Sequence, residues 1–205
     1  VVGLVGAPLC WAAFPRLQDR GFGFARLFGL VLATYVLTTV LSLHLLPNGR
    51  RAALLSLALV AAAAAVVYLR NRHDVARFVR ENRRSLLLGE AVFAAGFLLF
   101  LGIRALNPEI YWGEKPMDFS ILNILVRTKS LPTSDPWLAG VPLGYYTFGH
   151  EMVVFLTFLT HLSTRFTFNL AFGLLGGTIL QGAFSLARNW GGTLRAGIAG
   201  GAVLL

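Results

Sequence analysis

Long stretches of this chain carry no charge, and that constrains its fold more than any motif does. Residues 27–46, 52–69 and 166–187 are runs of 20, 18 and 22 residues without Asp, Glu, Lys or Arg. Residues 85–103 hold one acid, Glu90. A bilayer core takes about 20 mostly apolar helical residues to cross. Residues 148–162 read as a shorter, more polar span, while 1–15 and 196–205 read as parts of two more. Composition agrees: 56% of the chain is apolar and 13% charged, against about 45–50% and about 25% in a soluble domain. The expectation is an all-α, polytopic transmembrane helix bundle. The chain begins on Val1 and stops inside an apolar run, so it is read as a piece of a longer protein.

The net charge of +9 does not point to nucleic acid. The basic residues fall in short clusters between apolar runs, and no basic stripe is interleaved with aromatics. A positive-inside bias explains them. Arg16, Arg20, Arg26, Arg165 and six arginines within 70–84 fall on one side, ten in all. Arg50, Arg51, Arg104, Lys115, Arg127, Lys129, Arg188 and Arg195 make eight on the other. The dense 70–84 cluster, expected to be a loop, is assigned to the cytoplasm, and the long loop 105–147 to the opposite face. The lone cysteine, Cys10, excludes an internal disulfide and reads as an inert thiol in a helix. Gly173 with Gly177, and Gly197 with Gly201, are small residues four apart, a spacing that lets helix backbones approach closely in lipid.

The chain therefore divides into N-terminal spans (1–106), a loop (107–147) and further spans (148–205). A connection longer than about 15 residues is functional or disordered, and the aromatic and aliphatic content of this one argues against disorder. Within it, 115–129 reads as a short interfacial helix. Pro116 suits the first helical position, Asp118 meets the positive end of the macrodipole, and Ile121, Leu122, Leu125 and Val126 form one apolar stripe. Glu114, four residues before Asp118, can share its space; the plainer reading makes Asp118 a dipole partner and Glu114 a cap. Asp135 before Pro136 reads as an Asx-turn residue. Tyr145 and Tyr146, framed by glycines and followed by His150 and Glu151, are more than an aromatic belt needs. Glu90 lies about 9 Å inward of Arg84 on a helix, placed to snorkel or to pair with an arginine. His44 and His161 read as structural or interfacial.

Residues 113–118 (GEKPMD), Asp135-Pro136-Trp137, Ala139-Gly140, Tyr145-Tyr146 and Phe148-Gly149 resemble the YYY membrane-protein family of archaea and bacteria, as does the segment 14–26. Thr147 stands where that family has a third tyrosine. The family is in turn similar in layout to the multi-span glycosyltransferases of GT-C type. The resemblance implies sugar transfer from a polyprenyl-phosphate donor at the extracytoplasmic face of a prokaryote-type plasma membrane. Such chemistry needs a base for the acceptor hydroxyl and positive charge or donors for the departing phosphate. Asp118 is the first choice of base, with Glu114 second or as a ligand to Mg²⁺ or Mn²⁺. Lys115 and His150 would meet the phosphate, and Tyr145 and Tyr146 would stack on a sugar ring or brace the loop. Two other readings stand beside this one: a transporter or flippase using Glu90, His150 and Glu151, and a non-catalytic membrane scaffold.

Overall fold

A computed structural model describes residues 1–203, and in it the chain is mostly helical, with no strand among the described residues. The helices are α1 (Val2–Ala13), α2 (Ala25–Ser42), α3 (Arg50–Leu106), α4 (Lys115–Arg127), α5 (Phe148–Thr160), α6 (Thr164–Gly191) and α7 (Leu194–Ala202). Three segments are long and apolar enough to cross a membrane: Phe22–Ser42, Arg50–Leu106 and Thr164–Gly191. Leu54, Leu59, Leu87 and Leu98 on α3 remain exposed, as lipid-facing positions do. At 13 residues, α5 reaches about 20 Å, so the expected span at 148–162 is too short to cross the bilayer core alone.

The expected loop at 70–84 is instead part of α3, a run of 57 helical residues. It lacks Gly and Pro, is rich in good helix formers, and sets Arg70 four residues from Asp74 and Arg77 four from Glu81, pairs that support a helix. No residue from Val66 to Arg84 is buried.

The chain forms two compact units. The first comprises Val1–Leu30, Ala61–Leu106 and Phe172–Leu205, of which Leu204 and Leu205 lie outside the described residues. Here backbones meet at glycines. A Cβ on Gly173 or Gly177 would lie 3.0 or 2.7 Å from the carbonyl oxygens of Phe97 and Phe93 on α3, so this small-residue pair carries the α3–α6 contact. Gly197 lies against Phe184 and Arg188 of α6. Glu90 pairs with Arg26 through both carboxylate oxygens, one at 3.0 Å. Gln181 bonds both partners, and the Arg26 guanidinium lies 3.8 Å over the Phe93 ring. Buried Asp19 accepts from Ser185, Asn189 and the Gly21 and Gly23 amides. Cys10 is fully buried as a free thiol.

The second unit comprises Val31–Val60 and Asn107–Ala171, and it holds the loop. Its core gathers Ile121, Leu122 and Leu125 of α4 with Val154 of α5 and Phe168 of α6. The apolar stripe read as membrane-facing is thus covered by protein. A helix that meets a protein core and one that meets lipid share the same periodicity. Asn48 ties the end of α4 down through Leu125 O and Lys129 O.

Candidate functional site

Packing of α4 on α5 brings two polar side chains together. Asp118 lies one turn before Leu122 on α4, and His150 one turn before Val154 on α5. Residues four apart share a helix face, so burial of Leu122 and Val154 in one core sets Asp118 against His150. His150 Nε2 lies 3.3 Å from Asp118 Oδ1. The His150 side chain is 19% exposed and that of Asp118 35%, so the carboxylate is open to a ligand while the imidazole is largely enclosed. His150 Nδ1 is buried without a hydrogen-bond partner.

Two rings adjoin this pair. Tyr145 and Tyr146 stack at 4.2 Å between centroids, and Tyr145 meets the His150 ring edge-on at 6.5 Å. Tyr146 is 81% exposed, which leaves ring surface open. A hydrogen bond with Tyr146, desolvation, and the negative charges of Tyr146, Asp118 and Glu114 push the Tyr145 phenol from 10.0 up to about 12. Asp118 and Glu114 both act on Tyr145, so the two acids lie close enough to the ring to be felt there. A phenol whose folded pKa exceeds its unfolded one supports the fold fully below pH 10 and loses that support as pH rises toward 12. In an ultraviolet titration, one phenol of the five is expected to ionise near pH 12, and Tyr146→Phe to bring it down. Ordinary titration of all five phenols would contradict this arrangement.

The remaining expected site residues are less engaged. Glu114 is exposed and occupies the N-cap of α4 by its backbone, with no capping bond from its side chain; Asp118 N donates to its carbonyl at 3.0 Å. Lys115 opens α4, half-buried, with no ion-pair partner among the described residues. Asp135 is an Asx-turn residue, as read: its Oδ1 accepts from the Trp137 and Leu138 amides. Among the described residues no three His, Cys, Asp or Glu side chains group to hold a metal.

A second polar feature forms around Glu151, which the sequence offered only beside His150 and as part of a transport path. Glu151, 7% exposed, accepts from Thr38 Oγ1 and from Thr147 Oγ1, the latter at 2.6 Å. It lines a cavity of about 380 Å³. The one local clue was Thr147 four residues ahead of Glu151, since Thr38 is 113 positions away. His44, read as structural or interfacial, has φ 54° after the end of α2 and lines this cavity. His161 closes α5 in a left-handed conformation, a structural role.

Searches of the curated proteins and of the solved structures gave no match. The family profile described as an uncharacterized membrane protein (DUF2298) matches residues 32–205. That match takes in most of the chain, including α4, the tyrosine pair and α5, and the chain belongs to this membrane-protein family.

Proposed function

We propose that the protein is a membrane-embedded glycosyltransferase of GT-C type that moves a sugar from a polyprenyl-phosphate donor to an acceptor hydroxyl. The observation that carries this reading is the 3.3 Å contact between Asp118 and His150 beside the stacked Tyr145 and Tyr146. A carboxylate open to solvent and held in place by an imidazole is suited to general-base work. Flat, exposed aromatic surface beside it is suited to the C–H face of a sugar ring.

In the proposed reaction Asp118 takes the proton of the acceptor hydroxyl. The freed oxygen forms a bond to the anomeric carbon, the bond from that carbon to the phosphate oxygen breaks, and its electron pair leaves with polyprenyl phosphate. Lys115, at the start of α4, places an ammonium group for the departing charge. His150 acts as a positioning residue, fixing the Asp118 carboxylate. Wild-type protein in liposomes with polyprenyl-phosphate sugars, and with a methyl glycoside or water as the acceptor hydroxyl, is expected to release free polyprenyl phosphate. No release with any donor, from protein shown to be folded, would remove this reading.

The orientation belongs to the same proposal: residues 70–84, with six arginines, face the cytoplasm, and the 105–147 loop faces the other side of a plasma membrane. Cys10 is the only cysteine and is buried, so an added thiol reports alone. A membrane-impermeant maleimide on intact cells is expected to label Trp137→Cys and to reach Asn71→Cys only after lysis. The reverse pattern would invert the orientation.

A further inference from the structure

The Glu151 cavity is separate in its residues from the Asp118–His150 pair, and its lining has a definite chemistry. Its polar side is made by Glu151, Thr38, Ser42, His44, Thr133 and Thr147. Leu131, Pro132 and Leu143 give it an apolar wall. The local fold builds this wall deliberately close. Leu143 N bonds Thr133 O at 2.9 Å and Asp135 N bonds Val141 O at 2.8 Å, folding two loop segments back on each other.

Charge narrows the occupant. Glu151 is the only Asp, Glu, Lys or Arg in the lining. A phosphate or carboxylate would face a largely buried negative charge with no lysine or arginine to meet it, which disfavours an anion. The need for a cation is reduced on two counts. Two threonine hydroxyls already donate to Glu151, and it lies in the first turn of α5, where the helix macrodipole favours an acid. Each carboxylate oxygen keeps a lone pair able to accept from a ligand hydroxyl.

Size narrows it further. About 380 Å³ lies within the about 300–1,000 Å³ range of small-molecule sites. It is room for about a dozen waters at about 30 Å³ each, the heavy-atom count of a hexose. A hexose also presents what this lining offers to match: hydroxyl groups around its rim and an apolar C–H face.

We propose that this cavity is a binding site for a neutral, hydroxyl-rich group of monosaccharide size, with Glu151 as its principal acceptor. Binding stands on the cavity alone. Its further assignment as the acceptor subsite rests on the transferase reading, because Glu151 and His150 are consecutive in the first turn of α5.

The test uses the intact protein in phosphatidylcholine nanodiscs without any polyprenyl donor. Methyl glucoside, methyl mannoside and N-acetylglucosamine are the probes, read by saturation-transfer NMR. At least one is expected to bind. Glu151→Gln is expected to weaken it about ten-fold or more, the effect of losing charge-assisted hydrogen bonds. Ser42→Trp places bulk in the lining, and Ser42 is exposed, so this variant is expected to abolish binding without disturbing a buried position. Asp135→Asn is expected to change nothing. No signal with any probe would overturn the proposal. So would signals that survive both Glu151→Gln and Ser42→Trp, or calcium or sodium binding there in place of the sugars. Sugar binding without transfer from any donor would leave the cavity standing and count against the transferase reading alone.

Discussion

Asp118→Asn is expected to lower release of polyprenyl phosphate by about 10²–10⁴-fold, the range for loss of a general base. Asparagine has nearly the same shape, keeps an oxygen for His150 and leaves α4 packed on α5 through Ile121, Leu122 and Leu125. It cannot take a proton from a hydroxyl at neutral pH. The expected loss is thus in turnover, with folding retained. Glu114→Gln is expected to cost far less, because Glu114 is exposed and has no bond comparable to that between Asp118 and His150. Asp135→Asn serves as the control. Its oxygen still accepts from the Trp137 and Leu138 amides, and activity is expected to stay within two-fold, about 0.4 kcal/mol. Release from Asp118→Asn equal to wild type would move the base elsewhere.

The largest stability effect is expected at Gly6, where α1 crosses α2. A Cβ there would lie 1.9 Å from Ala25 O and 2.8 Å from Gly29 N. A Cβ on Gly29 would in turn lie 2.1 Å from Val2 O. Both obstacles are backbone, which cannot swing aside, so even alanine forces the helices apart. Overpacking costs about 1–3 kcal/mol where side chains can adjust, and a backbone collision falls at or beyond the upper end. In lipid, where close packing replaces the hydrophobic drive between helices, the lost approach has no substitute. Gly6→Leu is therefore expected to cost about 3 kcal/mol and to lower the Tm in detergent by roughly 6–12 °C. Gly102→Leu is the comparison: nothing lies within 4 Å of its Cβ, and its Tm is expected to hold. Equal behaviour of the two variants would show that the α1–α2 crossing does not depend on Gly6.

Local patterns made α4 legible almost to the residue. Pro116, the first-turn Asp118 and the stripe through Leu125 pointed to 115–129, and the helix runs Lys115–Arg127. The Gly173–Gly177 pair and the Asx turn at Asp135 were equally readable, since spacing alone specifies each. Features that depend on distant chain were not. Glu90 was legible as an acid placed to pair with an arginine, but which arginine was not, since its partner Arg26 lies 64 positions away. Thr38 and Glu151 meet across 113 positions, so the cavity had no local signature. Hydropathy also divided α3 at its charged middle, where helix propensity keeps the backbone helical.

The central claim is that Asp118 and His150 work as one couple, with His150 acting only through the carboxylate it holds. Release of polyprenyl phosphate measured side by side for wild type, Asp118→Asn, His150→Gln and the double variant tests this most directly. Groups that act as a unit are non-additive. The double variant is therefore predicted to lose no more than Asp118→Asn alone. Losses that multiply would show two independent roles and contradict the couple.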